Sequence, residues 1–175
     1  LRLRYEAEDL PHTTGEAYAA DEVSNRRAMA FNPAVHAPGY IAYGQYLELP
    51  AGDYQVNFRM KVADSPDIPA EAWNHIAVFL DAYSIQEGVV AEKIVRLDQQ
   101  QRGQFGRHVV YSMPVSLPRP LTLEFRAQAT GYAPVSLDAI DVAPSLPAQL
   151  VESMGVSAAR FMEKALAGMT LEDFV

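Results

Sequence analysis

The dominant period along this chain is two. From Tyr54 to Val62, Tyr54, Val56, Phe58, Met60 and Val62 alternate with Gln55, Asn57, Arg59 and Lys61, which predicts a strand with one face inward and one in water. Pro50-Ala51-Gly52-Asp53 precedes it as a tight-turn sequence, and Tyr40 to Leu49 alternates on the far side of that turn. Together these segments predict a hairpin. Shorter runs follow at His75 to Tyr83, Ile94 to Leu97, His108 to Val115, Leu121 to Ala129 and Val135 to Val142, separated by segments bearing Gly and Pro. With Leu3 to Asp9 as a first strand and Ala28-Met29-Ala30-Phe31 as another apolar run, the pattern predicts an all-β sandwich of about eight to nine strands.

The period changes after Pro144. Leu150, Val151 and Met154, then Phe161, Met162, Ala165, Leu166 and Met169, recur every three to four positions, with Ser157 placed to cap and Gly168 to stop a helix. The expected organisation is therefore a sandwich over 1–144 and a helical extension over 145–175. Two roles stay open for that extension. It docks on its own sandwich, or its apolar stripe links to a neighbouring catalytic domain or self-associates, because exposed apolar surface of this size calls for cover.

At 175 residues with 49% hydrophobic content, the chain is long enough for one full core. The absence of Cys removes disulfides, thiolate zinc sites and thiol nucleophiles. Fourteen Lys and Arg against 22 Asp and Glu give a formal net charge of −8, and the basic residues are scattered. That argues against nucleic acid or an anionic membrane surface as partner. No apolar run approaches the roughly 18 residues of a membrane span. The chain opens at Leu1 rather than Met, the expectation for a fragment or processed form of something longer.

Acidic residues carry the sharpest chemistry. In Tyr5-Glu6-Ala7-Glu8-Asp9, a strand would place Glu6 and Glu8 on one face about 7 Å apart. They are either two solvated side chains or a pair sharing a hard cation such as calcium. In Ser136-Leu137-Asp138-Ala139-Ile140-Asp141-Val142, strict alternation would put Asp138 on the face of Ile140 and Val142, where a carboxylate needs a partner. The same three acids are the material of a glycosidase pair, but that chemistry needs a carboxyl with raised pKa in a deep cleft, so metal ligation is the better reading. The four histidines share no metal-ligand spacing and no Gly-x-Ser-x-Gly elbow occurs. The chain is therefore read as non-enzymatic.

Tyr5-Glu6-Ala7-Glu8, the stretch from Gly39 to Tyr54 leading into Phe58-Arg59, and Leu137-Asp138-Ala139-Ile140 stand in an order and spacing that resembles carbohydrate-binding modules of families 6 and 35. Ala77 to Tyr83 followed by Leu123-Glu124-Phe125-Arg126 is more similar to divergent modules appended to bacterial glycosyltransferases and methyltransferases. The resemblance implies a β-sandwich jelly roll with a structural Ca2+ held by Glu6, Glu8 and Asp138 and by a backbone carbonyl near Arg27. It also implies a carbohydrate or polysaccharide partner met by rim aromatics, for which Tyr40, Trp73, Phe105 and Tyr132 are the candidates. In many relatives an Asn shortly before the last-strand Asp binds sugar hydroxyls, whereas Ala133-Pro134-Val135-Ser136 stands here. The implied setting is a larger bacterial glycan-active protein, in the cytoplasm if it synthesises glycans and extracellular if it degrades them. The alternative is a protein-interaction or scaffold domain with no sugar binding of its own.

Overall fold

Strands account for nearly all the regular structure among the described residues, and they divide between two antiparallel sheets. The computed structural model describes residues 2–63, 68–100 and 105–145. The chain divides into a unit Leu1–Pro144 and a unit Ser145–Val175; the helix expected over 146–174 lies outside the described residues. The strands are β1 Leu3–Glu6, β2 Glu16–Ala19, β3 Arg27–Phe31, β4 Gly39–Ala42, β5 Leu47–Leu49, β6 Gly52–Val62, β7 Ile76–Ser84, β8 Gly88–Arg96, β9 Val109–Leu117, β10 Leu121–Ala129 and β11 Val135–Pro144. One sheet runs β2-β3-β11-β6-β9 with β1 also on β11, and the other runs β4-β10-β7-β8 with β5 also on β10.

The β6 alternation becomes burial as expected. Tyr54, Val56, Phe58, Met60 and Val62 are buried, and they meet Leu80, Leu123 and Phe125 of the opposite sheet in one core that also takes Phe31 and Leu137. The strands number eleven rather than eight or nine because the polar segment Glu16–Ala19, which shows no strand pattern, forms β2, and because one expected strand is split. Tyr40 to Leu49 is not one strand but two, β4 and β5, since Gly44 (φ 82°) and Tyr46 (φ 47°) adopt left-handed backbone that no strand accommodates.

Each sheet has one strand whose edge is shared by two short neighbours, and a side chain fills the gap between them. Along β10, β5 pairs through Leu121, Thr122 and Leu123 and β4 from Ala127 onward. Opposite the gap, Gln45 Oε1 accepts the Phe125 N–H (2.8 Å) and Gln45 Nε2 donates to the Phe125 carbonyl (3.0 Å), so an amide side chain replaces a backbone partner. Along β11, β3 pairs with Val135, Ser136 and Leu137 and β1 with Ala139 to Val142. Asp138 falls between them. Its pairing with β6 also skips a residue there, Leu137 facing Met60 and Ala139 facing Arg59, which is a β-bulge.

That bulge corrects the expected face of Asp138. The extra residue resets the alternation, so Val135, Leu137, Ile140 and Val142 all reach the core, while Asp138 joins the polar partners of Ser24 and Arg59 described below. The Glu6/Glu8 expectation also changes. β1 ends at Glu6, and Ala7–Asp9 is a 3-10 turn that buries Ala7, so Glu8 is not on a strand face at all.

Candidate functional site

Two gatherings of side chains among the described residues are candidates for a site. The first is the acidic cluster beside the β11 bulge. A second 3-10 turn, Ser24–Arg26, closes against it, with Asn25 at φ 44° and Arg26 at φ 63°. Asp138 is fully buried, and its Oδ1 accepts both the Ser24 N–H (3.1 Å) and the Ser24 hydroxyl (2.6 Å). Its Oδ2 takes the Arg59 guanidinium at 2.8 Å. The Ser24 Oγ also lies 2.6 Å from Glu6 Oε2 and thus bridges two carboxylates. Arg4 donates to Glu6 Oε1 (2.8 Å) and to Asp141 Oδ2 (3.0 Å). Burial alone would raise the Glu6 pKa, but hydrogen bonds from Ser24 and Arg4 and the charges of Arg4 and Arg59 outweigh it and hold the carboxyl below its ordinary value.

Glu8 joins from the side, its Oε1 accepting the Asn25 amide at 2.6 Å, while its Oε2 is buried without a hydrogen-bond partner among the described residues. Arg27, named for its backbone carbonyl, is the exposed first residue of β3, and its N–H donates to Asn25 Oδ1 at 3.1 Å. Among the described residues no three carboxylate or imidazole groups converge on one point as a metal cage; Ser24 and Asn25 stand between them. The orphaned Glu8 oxygen would suit a hard cation, because a desolvated carboxylate oxygen needs compensation that no described residue supplies.

Further along the same outer face, the Ser136 hydroxyl lies 2.8 Å from the Tyr18 hydroxyl and 3.1 Å from His108 Nε2. Burial first, then nearby Lys61, pushes the His108 pKa down, against an opposing pull from Asp138. These contacts stitch β2, β11 and the start of β9 together.

The second place is a cleft of about 780 Å3 at one end of the sandwich. Three connections form it: Asn32 and Pro33 after β3, Glu71 and Ala72 before β7, and Tyr132 and Pro134 between β10 and β11. Tyr132 is 41% exposed, and its ring lies parallel to His75, the planes 2° apart and the centroids at 3.9 Å. A ring backed in this way presents a fixed flat face at little entropic cost. Gly131 beside it has φ 98°, and a Cβ there would meet Pro38 at 2.9 Å, so the two loops are held in close contact. Asn32 is pinned through its side-chain Oδ1, which accepts the Ala34 N–H at 2.9 Å.

Of the four aromatics expected at the rim, Tyr132 alone lines this cleft. Trp73 and Phe105 pack edge to face at 5.4 Å and are half-buried against the core next to Ala72. Tyr40 stands on β4, 6.0 Å from Tyr43 and 5.2 Å from the Arg126 guanidinium, which also lies 4.1 Å over Tyr83 and is taken by Asp81 at 2.8 and 2.7 Å. Asn32, Glu71 and His75 were not singled out for this site from sequence. Asn32-Pro33 reads only as a turn, and the residues before Trp73 only as an acidic, Pro-bearing excursion.

No protein-family model matches the chain, and no curated protein sequence matches it. Solved structures do match over most of it. The C-terminal CBM6 of LamC, a marine laminarinase from Zobellia galactanivorans, aligns with TM-score 0.53 at 13% identity over 82% of this chain and 99% of that one. Module CBM6cm-2 of Cellvibrio mixtus lichenase 5A, solved with cellotriose, aligns with TM-score 0.54 at 11% identity over 82% and 98%. The fold is that of a carbohydrate-binding module. The GH26-CBM35 β-(1,4)-mannanase of Podospora anserina aligns with TM-score 0.52 at 12% identity, over 83% of this chain but only 28% of that longer one. At these identities the carbohydrate-binding-module likeness is one of architecture. No helix among the described residues is long and apolar enough to cross a membrane.

Proposed function

We propose that this chain is a non-catalytic carbohydrate-binding module that takes a saccharide in the cleft walled by Tyr132. The observation that carries the reading is the exposed Tyr132 ring, backed by His75 and facing a cleft whose polar groups are Asn32 and Glu71. An aromatic face packs against the C–H face of a pyranose, and a few planar polar groups orient its hydroxyls. An open cleft of this kind encloses little ligand area, so the expected Kd is about 10 μM to 1 mM. Titration with neutral, acidic and amino sugars, followed by chemical-shift perturbation, should move resonances of Asn32, Glu71 and Tyr132. Tyr132→Ala should weaken binding about threefold to tenfold, the order of one lost stacking contact, without loss of fold, because the ring is surface-exposed. Absence of any shift at millimolar sugar would end this reading and favour the protein-interaction domain.

The acidic cluster supports a structural role for calcium within the same reading. Glu6, Glu8 and Asp138, with the backbone carbonyl of Arg27, would hold the ion, which supplies no chemistry beyond tying β1 and the Ser24–Arg26 turn to β11. A ligand bound only by the folded state adds about 2.7 kcal/mol at a hundredfold excess over Kd. Chelator should therefore lower Tm, and Glu8→Gln should shrink that drop. Identical melting with and without chelator, in both proteins, would show that Ser24, Asn25, Arg4 and Arg59 satisfy the cluster alone. In this reading the module serves a larger bacterial glycan-active protein, of the glycosyltransferase or methyltransferase type, and its compartment follows from that partner.

A further inference from the structure

We infer that the Tyr132 cleft selects a sugar bearing a free amino group over its neutral and acidic counterparts; the inference rests on the reading of that cleft as a saccharide site. Among the described residues lining the cleft, Glu71 is the one formally charged group, and neither Lys nor Arg lines it. Glu71 takes part in no salt bridge with a described residue, whereas Arg96, at the end of β8, is held by Asp98 and by the Asn74 carbonyl. Its backbone is fixed. It sits in the 3-10 turn Ala70–Ala72, which is closed by Ala72 N–H on the Pro69 carbonyl (2.9 Å) and His75 N–H on the Ala72 carbonyl (2.9 Å), with Ala72 buried beneath.

A pyranose stacked on Tyr132 thus meets a carboxylate on the 3-10-turn side and the Asn32 amide on the other loop. An ammonium on the ring finds a counter-charge in Glu71. A uronate would find like charge and no cation, which disfavours it. The net charge of −8 works in the same direction at long range, raising the local concentration of cationic chains and depleting anionic ones. N-acetylation would cancel the advantage by removing the charge, in the way acetylation of Lys does.

The test is a titration of the full chain with β-1,4-linked trisaccharides of glucosamine, N-acetylglucosamine and glucose, and with glucuronic acid. Because an exposed ion pair contributes modestly, the glucosamine form should bind about threefold to fivefold tighter than the acetylated and neutral forms at about 10 mM salt, and the gap should narrow at about 0.3 M. Glu71→Gln should bring the ratio close to one. Equal affinities in the parent chain, or a preference that survives Glu71→Gln, would overturn the inference while leaving saccharide binding intact. Glucosamine binding that survives Tyr132→Ala would also overturn it, by showing general attraction to an acidic protein. Failure of every sugar to bind would overturn the saccharide reading itself.

Discussion

Replacing Asp138 by Ala is expected to lower folding stability by about 3–5 kcal/mol, the cost of breaking a buried, hydrogen-bonded ion pair. The carboxylate is fully buried and serves three donors: the Ser24 N–H, the Ser24 hydroxyl and the Arg59 guanidinium. Arg59 is about a third exposed and recovers part of its hydration, so the larger share of the loss comes from the Ser24 N–H and from the gap left between β1 and β3. Asp138→Asn keeps the shape and one acceptor and should lose less. Urea unfolding in the presence of chelator separates this effect from any bound calcium. A loss below about 1 kcal/mol for Asp138→Ala would mean that the bulge holds without its carboxylate.

Phe58→Ala should be equally severe, about 3–5 kcal/mol, by a different route. Phe58 is fully buried midway along β6, where it faces Ile140 on one side and Tyr111 on the other in register. Removing the ring leaves a cavity that two long, paired neighbours cannot collapse to fill. The denaturation midpoint should fall with an unchanged slope, since the exposed area on unfolding hardly changes. A fall of less than about 2 kcal/mol would indicate that the sheets close over the cavity.

Much of the fold is legible in the alternation of side chains. Leu121 to Ala129 matches β10 residue for residue, and Tyr54 to Val62 buries the five side chains its pattern assigns inward. The misreadings occur where local backbone chemistry breaks the period. The extra residue at Asp138 leaves no mark in composition, because Leu137-Asp138-Ala139-Ile140 alternates as well with a bulge as without. Glu8 was misplaced because a three-residue turn after a four-residue strand carries no Gly or Pro to announce it. β8 was shortened to Ile94 to Leu97 because its first half, Gly88 to Glu92, pairs at a sheet edge where polar and apolar side chains mix.

The site was less legible than the fold, for a physical reason. The Tyr132 cleft is made by three connections far apart in sequence, and Asn32 and Glu71 come to line it together only when the sheets bring those loops together. Ser24-Asn25, by contrast, announces a turn, and it is this turn that Asp138, Glu6 and Glu8 meet.

Leu3 of β1 faces Val142 of β11 in an antiparallel pair, so the start of β1 and the end of β11 lie at the same end of the sandwich. Tension applied between those two ends does not shear the pair along its length. It peels the hydrogen bonds apart singly, starting at Leu3 and Val142, because each bond lies across the strands and is loaded alone. Under such tension the Arg4, Glu6 and Asp138 contacts would be the first substantial resistance met.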